Sequence, residues 1–206
     1  MTAVKEIQSR KAPRRTRGRK TYDLLLNTAG QLLGEVGLED ISTNLVCARA
    51  GMSPPALYRY FHDKHDLLEA LGRRLMDRQN AVLEAWLAEH HSDGVEGLLA
   101  GLPDLMLKTA EVTAQEPGAV WILRALHASP RLAHVRLESH RHVTDRLTDA
   151  YPELLPNGDR EALWRRIRVA VEICFAVDEM LTEETRIPRD EAIHQAADLL
   201  RRATPA

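Results

Sequence analysis

The chain has 206 residues, 44% hydrophobic, 4% aromatic and 28% charged, with a formal net charge of −2. That is the composition of an ordinary soluble globular protein of one large domain or two small ones. With only Cys47 and Cys174, both in apolar helical patterns, it excludes a disulfide framework and fits a reducing cytosol.

The charge is unevenly placed. Residues 1–64 carry eleven Lys/Arg against six Asp/Glu, and residues 65–206 carry seventeen against twenty-four. A basic N-terminal part on an acidic remainder suits a polyanion-binding module joined to something else. The first twenty residues are polar and basic, so no signal peptide is expected. No apolar run approaches the ~18 residues a membrane span needs. Strand signals are nearly absent, so the expected fold class is all-α.

In chain order, residues 1–20 read as a disordered basic arm. Arg14, Arg15 and Arg17 lie in its densest part, and Pro13 and Gly18 discourage helix. The arm either lies along DNA or is a solvated tail. Thr21 to Gly34 reads as a first helix with Leu25, Ala29, Leu32 and Val36 on one stripe, closed by Gly37. Thr43 is the expected cap of a short helix Asn44–Ala50, which Gly51 ends. Ser53 is the expected cap of the next, with Pro54 and Pro55 in its first turn, where a missing N–H removes no bond. Leu57 and Phe61 fall on its buried face, four residues apart. Asp63 caps a long helix reaching about Glu89, with Leu67, Leu71, Leu75, Val82 and Trp86 as its stripe.

Helix, glycine turn, helix is the helix-turn-helix arrangement. Residues 20–71 resemble the tetracycline-repressor (TetR) family of bacterial transcriptional regulators. The resemblance is carried by Gly37, Ser42-Thr43, Val46-Cys47, Ala50-Gly51, Ser53, Leu57-Tyr58, Tyr60-Phe61, Lys64 and Leu67. It implies a helix-turn-helix domain over 21–66 and a larger ligand-binding and dimerisation domain over 67–206, with about nine helices in all. The implied partners are a double-stranded operator, a second copy of the chain and a small-molecule effector, in the cytoplasm. No cofactor, metal or membrane is implied. Thr43, Tyr58, Tyr60 and Lys64 suit phosphate contacts, which position without specifying sequence. Asn44, Pro54, Pro55, Ala56 and Arg59 are expected to face the groove. Pro54, Ala56 and Asn44 depart from the polar and Arg residues frequent in the family, which shifts weight toward shape readout.

Five further helices are expected: 95–114, with Pro103 suggesting a kink or a later start, then 117–128, 131–150, 159–185 and 189–203. The run 163–181 is apolar on more than one face and must be buried on more than one side. The resemblance implies that it pairs with a two-fold copy, through Ile167, Ala170, Cys174, Val177, Leu181, Ile193, Ala197 and Leu200. Candidate effector contacts are Met106, Trp121, Arg124, His127, Phe175 and Asp178. His134 and Glu138 share a face, but His140 and His142 point elsewhere, so a surface role outweighs a metal site. No catalytic motif is found, and the chain is expected not to be an enzyme. The resemblance favours a ligand-released repressor. The alternatives are an activator or ligand-independent regulator, or a helical RNA-binding enzyme.

Overall fold

Caps and breakers set the ends of the helices in the computed structural model, which describes residues 16–154 and 159–203. The order is α1 (Thr16–Asp40), α2 (Thr43–Ala50), α3 (Pro54–Leu57), α4 (Lys64–His90), α5 (Gly94–Gln115), α6 (Ala119–Ala128), α7 (Ala133–Ala150), α8 (Arg160–Glu183) and α9 (Arg189–Ala203). No strand occurs among the described residues.

α1 begins at Thr16 rather than Thr21, so the end of the expected arm is helical. Arg19 Nε lies 3.6 Å from the Asp23 carboxylate one turn on, which offsets part of the local repulsion. Arg14 and Arg15 lie outside the described residues, as does the side chain of Arg17. Gly37 takes φ 77° and breaks the regular run.

The cap of α2 is Ser42, not Thr43. Ser42 Oγ accepts the Leu45 N–H at 3.2 Å. Thr43 is left with its hydroxyl 3.4 Å from that of Tyr58. Ser53 stands at the N-cap of α3 without a side-chain capping bond. α3 is a single turn, yet Leu57 and Phe61 are both buried, because the Phe61 N–H donates to the Leu57 carbonyl at 3.1 Å and carries the same face onward. Asp63 caps α4 as expected, accepting the Asp66 N–H at 2.9 Å.

α5 runs from Gly94 straight through Pro103, without the later start that Pro103 suggested. A proline frees the carbonyl four residues back. Here that carbonyl is Leu99 O, and Arg201 Nη2 of α9 donates to it at 3.0 Å.

The core has three parts. The first joins α1, α2, α3 and the first half of α4 to Ile122, Leu123 and Leu126 of α6. The second gathers the far half of α4 with α5, α7 and α8 around Trp86 and Tyr151. The third is Met106 and Ala110 of α5 against Ile193, Ala196 and Ala197 of α9. The first part therefore runs across the expected boundary near residue 66.

The α5–α6 turn seats directly on α1. Gly118 has φ 75°, and a Cβ there would lie 2.7 Å from the Gly30 carbonyl oxygen. Gly118→Ala combines a left-handed backbone with that clash, so a loss of about 2 kcal/mol or more is expected. Thermal melting checks this, and an unshifted midpoint would contradict the packing.

Candidate functional site

The outer edge of α2 and α3 is polar and accessible. Asn44, Pro54, Pro55, Tyr58 and Arg59 are exposed, while Thr43, Ala56 and Tyr60 are half-buried. Val46, Cys47, Leu57 and Phe61 hold this edge from behind. Tyr22 of α1 packs edge-on to Tyr60, with ring centroids 6.2 Å apart, so Tyr60 has a packing role as well. Lys64 Nζ donates to the Leu38 carbonyl at 2.9 Å and so ties the start of α4 to the end of α1. That bond gives Lys64 a structural task that its sequence position did not announce.

Behind this edge, α4, α5, α7, α8 and α9 line a partly open cavity of about 70 Å³. Its wall is apolar, with Leu83, Leu105, Met106, Val143 and Phe175 among the lining side chains. Phe175 is held by a ring stack on His140, centroids 4.0 Å apart. Burial pushes the His140 imidazole down to about 4, so it is neutral at pH 7. Its Nδ1 lies 3.0 Å from Glu172, and the neutral ring donates there from Nδ1.

Gln79, Thr109 and Asp178 interrupt the apolar wall. Asp178 is 7% exposed. Its Oδ2 accepts the Thr113 hydroxyl at 2.7 Å and the Gln79 amide at 3.1 Å. Burial, partly opposed by the Thr113 bond and the charge of Arg189, pushes its carboxyl up to about 6.

Ion pairs and hydrogen bonds tie the end of α5, a cavity-lining helix, to α4 and α1. α5 ends at Glu116, a buried carboxylate. Arg74 of α4 pairs with one of its oxygens, and Arg78 Nη1 lies 2.6 Å from the other. Arg74 Nη1 also donates to Asn27 of α1 at 2.6 Å. A second tie comes from Arg131, whose Nη1 lies 2.9 Å from Asp63 at the start of α4.

Residues 25–71 match the family model described as bacterial regulatory proteins, tetR family. The tetracycline repressor protein class A from transposon 1721 of Escherichia coli is 37% identical over 71 residues, which is 34% of this chain and 28% of that protein. Residues 25–71 are therefore similar to the N-terminal domain of that family. The match thus spans about a quarter of that curated relative's length. The whole fold resembles a Syntrophomonas wolfei str. Goettingen protein, provisionally described as a TetR-family transcriptional regulator. The TM-score is 0.71 at 16% identity, over 90% of this chain and 95% of that one. It also resembles the TetR-like regulator LfrR from Mycobacterium smegmatis, solved in complex with proflavine. There the TM-score is 0.56 at 20% identity, over 91% and 97% of the two chains.

The expected effector residues separate in the structure. Met106, Phe175 and Asp178 line the cavity. Trp121, Arg124 and His127 do not: they lie along one side of α6. Trp121 packs on Gly37 and carries the Arg124 guanidinium 4.8 Å above its ring. Arg124 pairs with Glu183 at 2.9 Å, and His127 Nδ1 lies 3.3 Å from Glu179.

The expected pairing face of α8 and α9 is largely inward. Cys174 and Ile193 line the cavity. Ile167 and Ala197 are buried, and Val177 and Leu181 pack on the α5–α9 core. Ala170 and Leu200 are half-buried. The outward apolar residues are instead Val169, Ile173 and Met180 of α8 and Leu199 of α9, exposed by 62%, 43%, 38% and 68%.

Sequence reasoning missed Gln79, Thr113, Arg74, Arg78 and Glu116. Only Gln79 left a trace: it fills the gap between Leu75 and Val82 in the apolar stripe of α4. His134 and Glu138 do share a face, and both meet Arg73, at 3.1 and 3.0 Å.

Proposed function

We propose that the chain is a transcriptional repressor that holds a palindromic operator as a homodimer and releases it when a small ligand enters the α4–α9 cavity. The observation that carries this is the physical connection just described. A DNA-reading edge and an apolar cavity are joined by the Glu116 turn, which grips α4 and rests on α1. The cavity is well below the roughly 300–1,000 Å³ of drug-sized sites. A ligand of that size must push α5 away from α8, and the end of α5 is the Glu116 turn. Selection of bound genomic fragments, followed by titration of the recovered operator with and without candidate ligands, tests the reading. Failure to enrich any duplex would end it.

At the DNA edge, we assign the exposed Tyr58 hydroxyl to a phosphate contact. Tyr58→Phe is expected to weaken operator binding about fivefold, the value of roughly 1 kcal/mol for one hydrogen bond, with no change in melting. Fluorescence anisotropy checks this, and unchanged affinity would remove Tyr58 from the contact set. Lys64→Met should both lower the melting temperature, through the lost Leu38 bond, and reduce the salt slope by about one phosphate.

The dimer is proposed to form through the outward residues of α8 and α9. Ile173→Glu would bury an unpaired charge there at a cost of several kcal/mol, so a monomer is expected. Sedimentation that finds the unaltered chain monomeric at micromolar concentration would refute the pairing.

A further inference from the structure

Resting on the effector-cavity reading, we infer that the ligand is an apolar molecule bearing a cationic nitrogen, received by Asp178 together with the free amide oxygen of Gln79. Gln79 is 2% exposed and lines the cavity. Its Nε2 donates both to Thr113 Oγ1 at 2.8 Å and to Asp178 Oδ2 at 3.1 Å. A carboxylate only accepts, so the amide must turn its NH2 toward Asp178. That leaves Gln79 Oε1 buried with no hydrogen-bond partner among the described residues. Asp178 likewise has no ion-pair partner within 4.0 Å among them.

The Gln79 amide oxygen and the Asp178 carboxylate both accept and do not donate. A ligand carboxylate would meet the Asp178 charge at close range. A hydrocarbon would seal both acceptors away from water and leave them unpaired, which is the costly arrangement. An alcohol supplies one neutral donor. An ammonium group supplies several donors and the opposite charge, and charge-assisted bonds are roughly twice as strong as neutral ones. The remaining wall, Leu83, Leu105, Met106 and Phe175, asks for an apolar body behind that nitrogen. The space present holds on the order of five waters at about 10–15 Å³ each, so the nitrogen replaces waters at Asp178 while the body widens the apolar end.

Calorimetry on the full chain with three matched probes tests this: phenylbutylammonium, phenylbutanol and phenylbutyrate. The ammonium compound is expected to bind at least about tenfold tighter than the alcohol, with no measurable binding of the carboxylate. Asp178→Asn keeps the side-chain shape and should bring the ammonium and alcohol affinities to within about twofold. Gln79→Met, which removes the free oxygen, should weaken the ammonium compound more than the alcohol. Equal affinities in the unaltered chain, or a cation preference that survives in Asp178→Asn, would overturn the inference. Operator titration separates the two readings. Alcohol-driven release without ammonium binding overturns the cation inference alone. Asp178-dependent ammonium binding without release upholds it and overturns ligand-released repression. Binding of none of the three, with no release, overturns both.

Discussion

Glu116→Gln is expected to lose about 3 kcal/mol of stability and to blunt the operator's response to any effector. The carboxylate side chain is 1% exposed and receives two guanidinium groups, one on each oxygen. A glutamine keeps one acceptor oxygen and replaces the other with an NH2 group. That NH2 would point its hydrogens at a guanidinium. Breaking a buried pair from one side costs about 3–5 kcal/mol, because the remaining charge is left uncompensated. The Arg74 and Arg78 side chains are 24% and 38% exposed, so water recovers part of the loss and the low end applies. Urea denaturation should show a lower midpoint at an unchanged slope. Arg78→Met should cost less, since Arg74 still holds the carboxylate. The functional effect follows from the same contacts. The turn that Glu116 anchors reaches α1, where an added Cβ at Gly30 would stand 3.1 Å from the Pro117 carbonyl oxygen. With the grip loosened, displacement of α5 transmits less to α1, and more ligand is needed to release DNA. A variant with full stability and an unchanged ligand response would show that the pairs do not carry the coupling.

The helix-turn-helix was legible because its signals are local. A capping hydroxyl, a glycine at φ 65° and a Pro-Pro first turn each act within a few residues, and the helix boundaries follow from them. The error at the start of α2 has the same origin. Ser42 and Thr43 are adjacent hydroxyls, and sequence does not say which has the extended backbone that a cap needs; Ser42 has it, at φ −142° and ψ 157°. The faces of α8 were not legible. Its pattern is apolar nearly all round, and which side meets α5 and α9 is set by packing between distant segments. Hence Cys174 and Val177 turn inward, and Val169 and Ile173 turn out. The Arg74–Glu116 and Gln79–Asp178 pairs lie 42 and 99 residues apart and leave no periodic mark. Met106, Phe175 and Asp178 line the cavity, and Asp178 drew notice because a carboxylate inside an apolar run is anomalous by itself, as it is beside Val177. Arg124 and His127 looked similar but meet Glu183 and Glu179 along α6 instead.

Asp178→Asn is expected to raise stability by about 2–3 kcal/mol above pH 6, and to give nothing at pH 4. Burial lifts the Asp178 carboxyl from its ordinary 3.8 to about 6. Each unit of that difference is worth about 1.4 kcal/mol between protonation states. The direction follows from proton counts. Between pH 4 and 6 the folded chain holds the Asp178 proton and the unfolded chain has released it, so stability falls as pH rises through this window. Above pH 6 both states are ionised and the whole cost of the buried charge is present. Below pH 4 both are protonated and the cost is gone. The charged groups that act on Asp178 are Arg189, which favours its ionised form, and Glu179, which opposes it. The substitution removes the charge and keeps an oxygen for the Thr113 hydroxyl. Melting curves of both proteins across this pH range give the difference directly. A variant equal to or weaker than the unaltered chain at pH 7.5 would mean that Asp178 is already paired or hydrated, and so is not the strained acceptor described here. A stabilised variant would explain why a folded chain tolerates such a group only where binding a ligand relieves it. The charge that weakens the empty protein is then the one that draws the cation in.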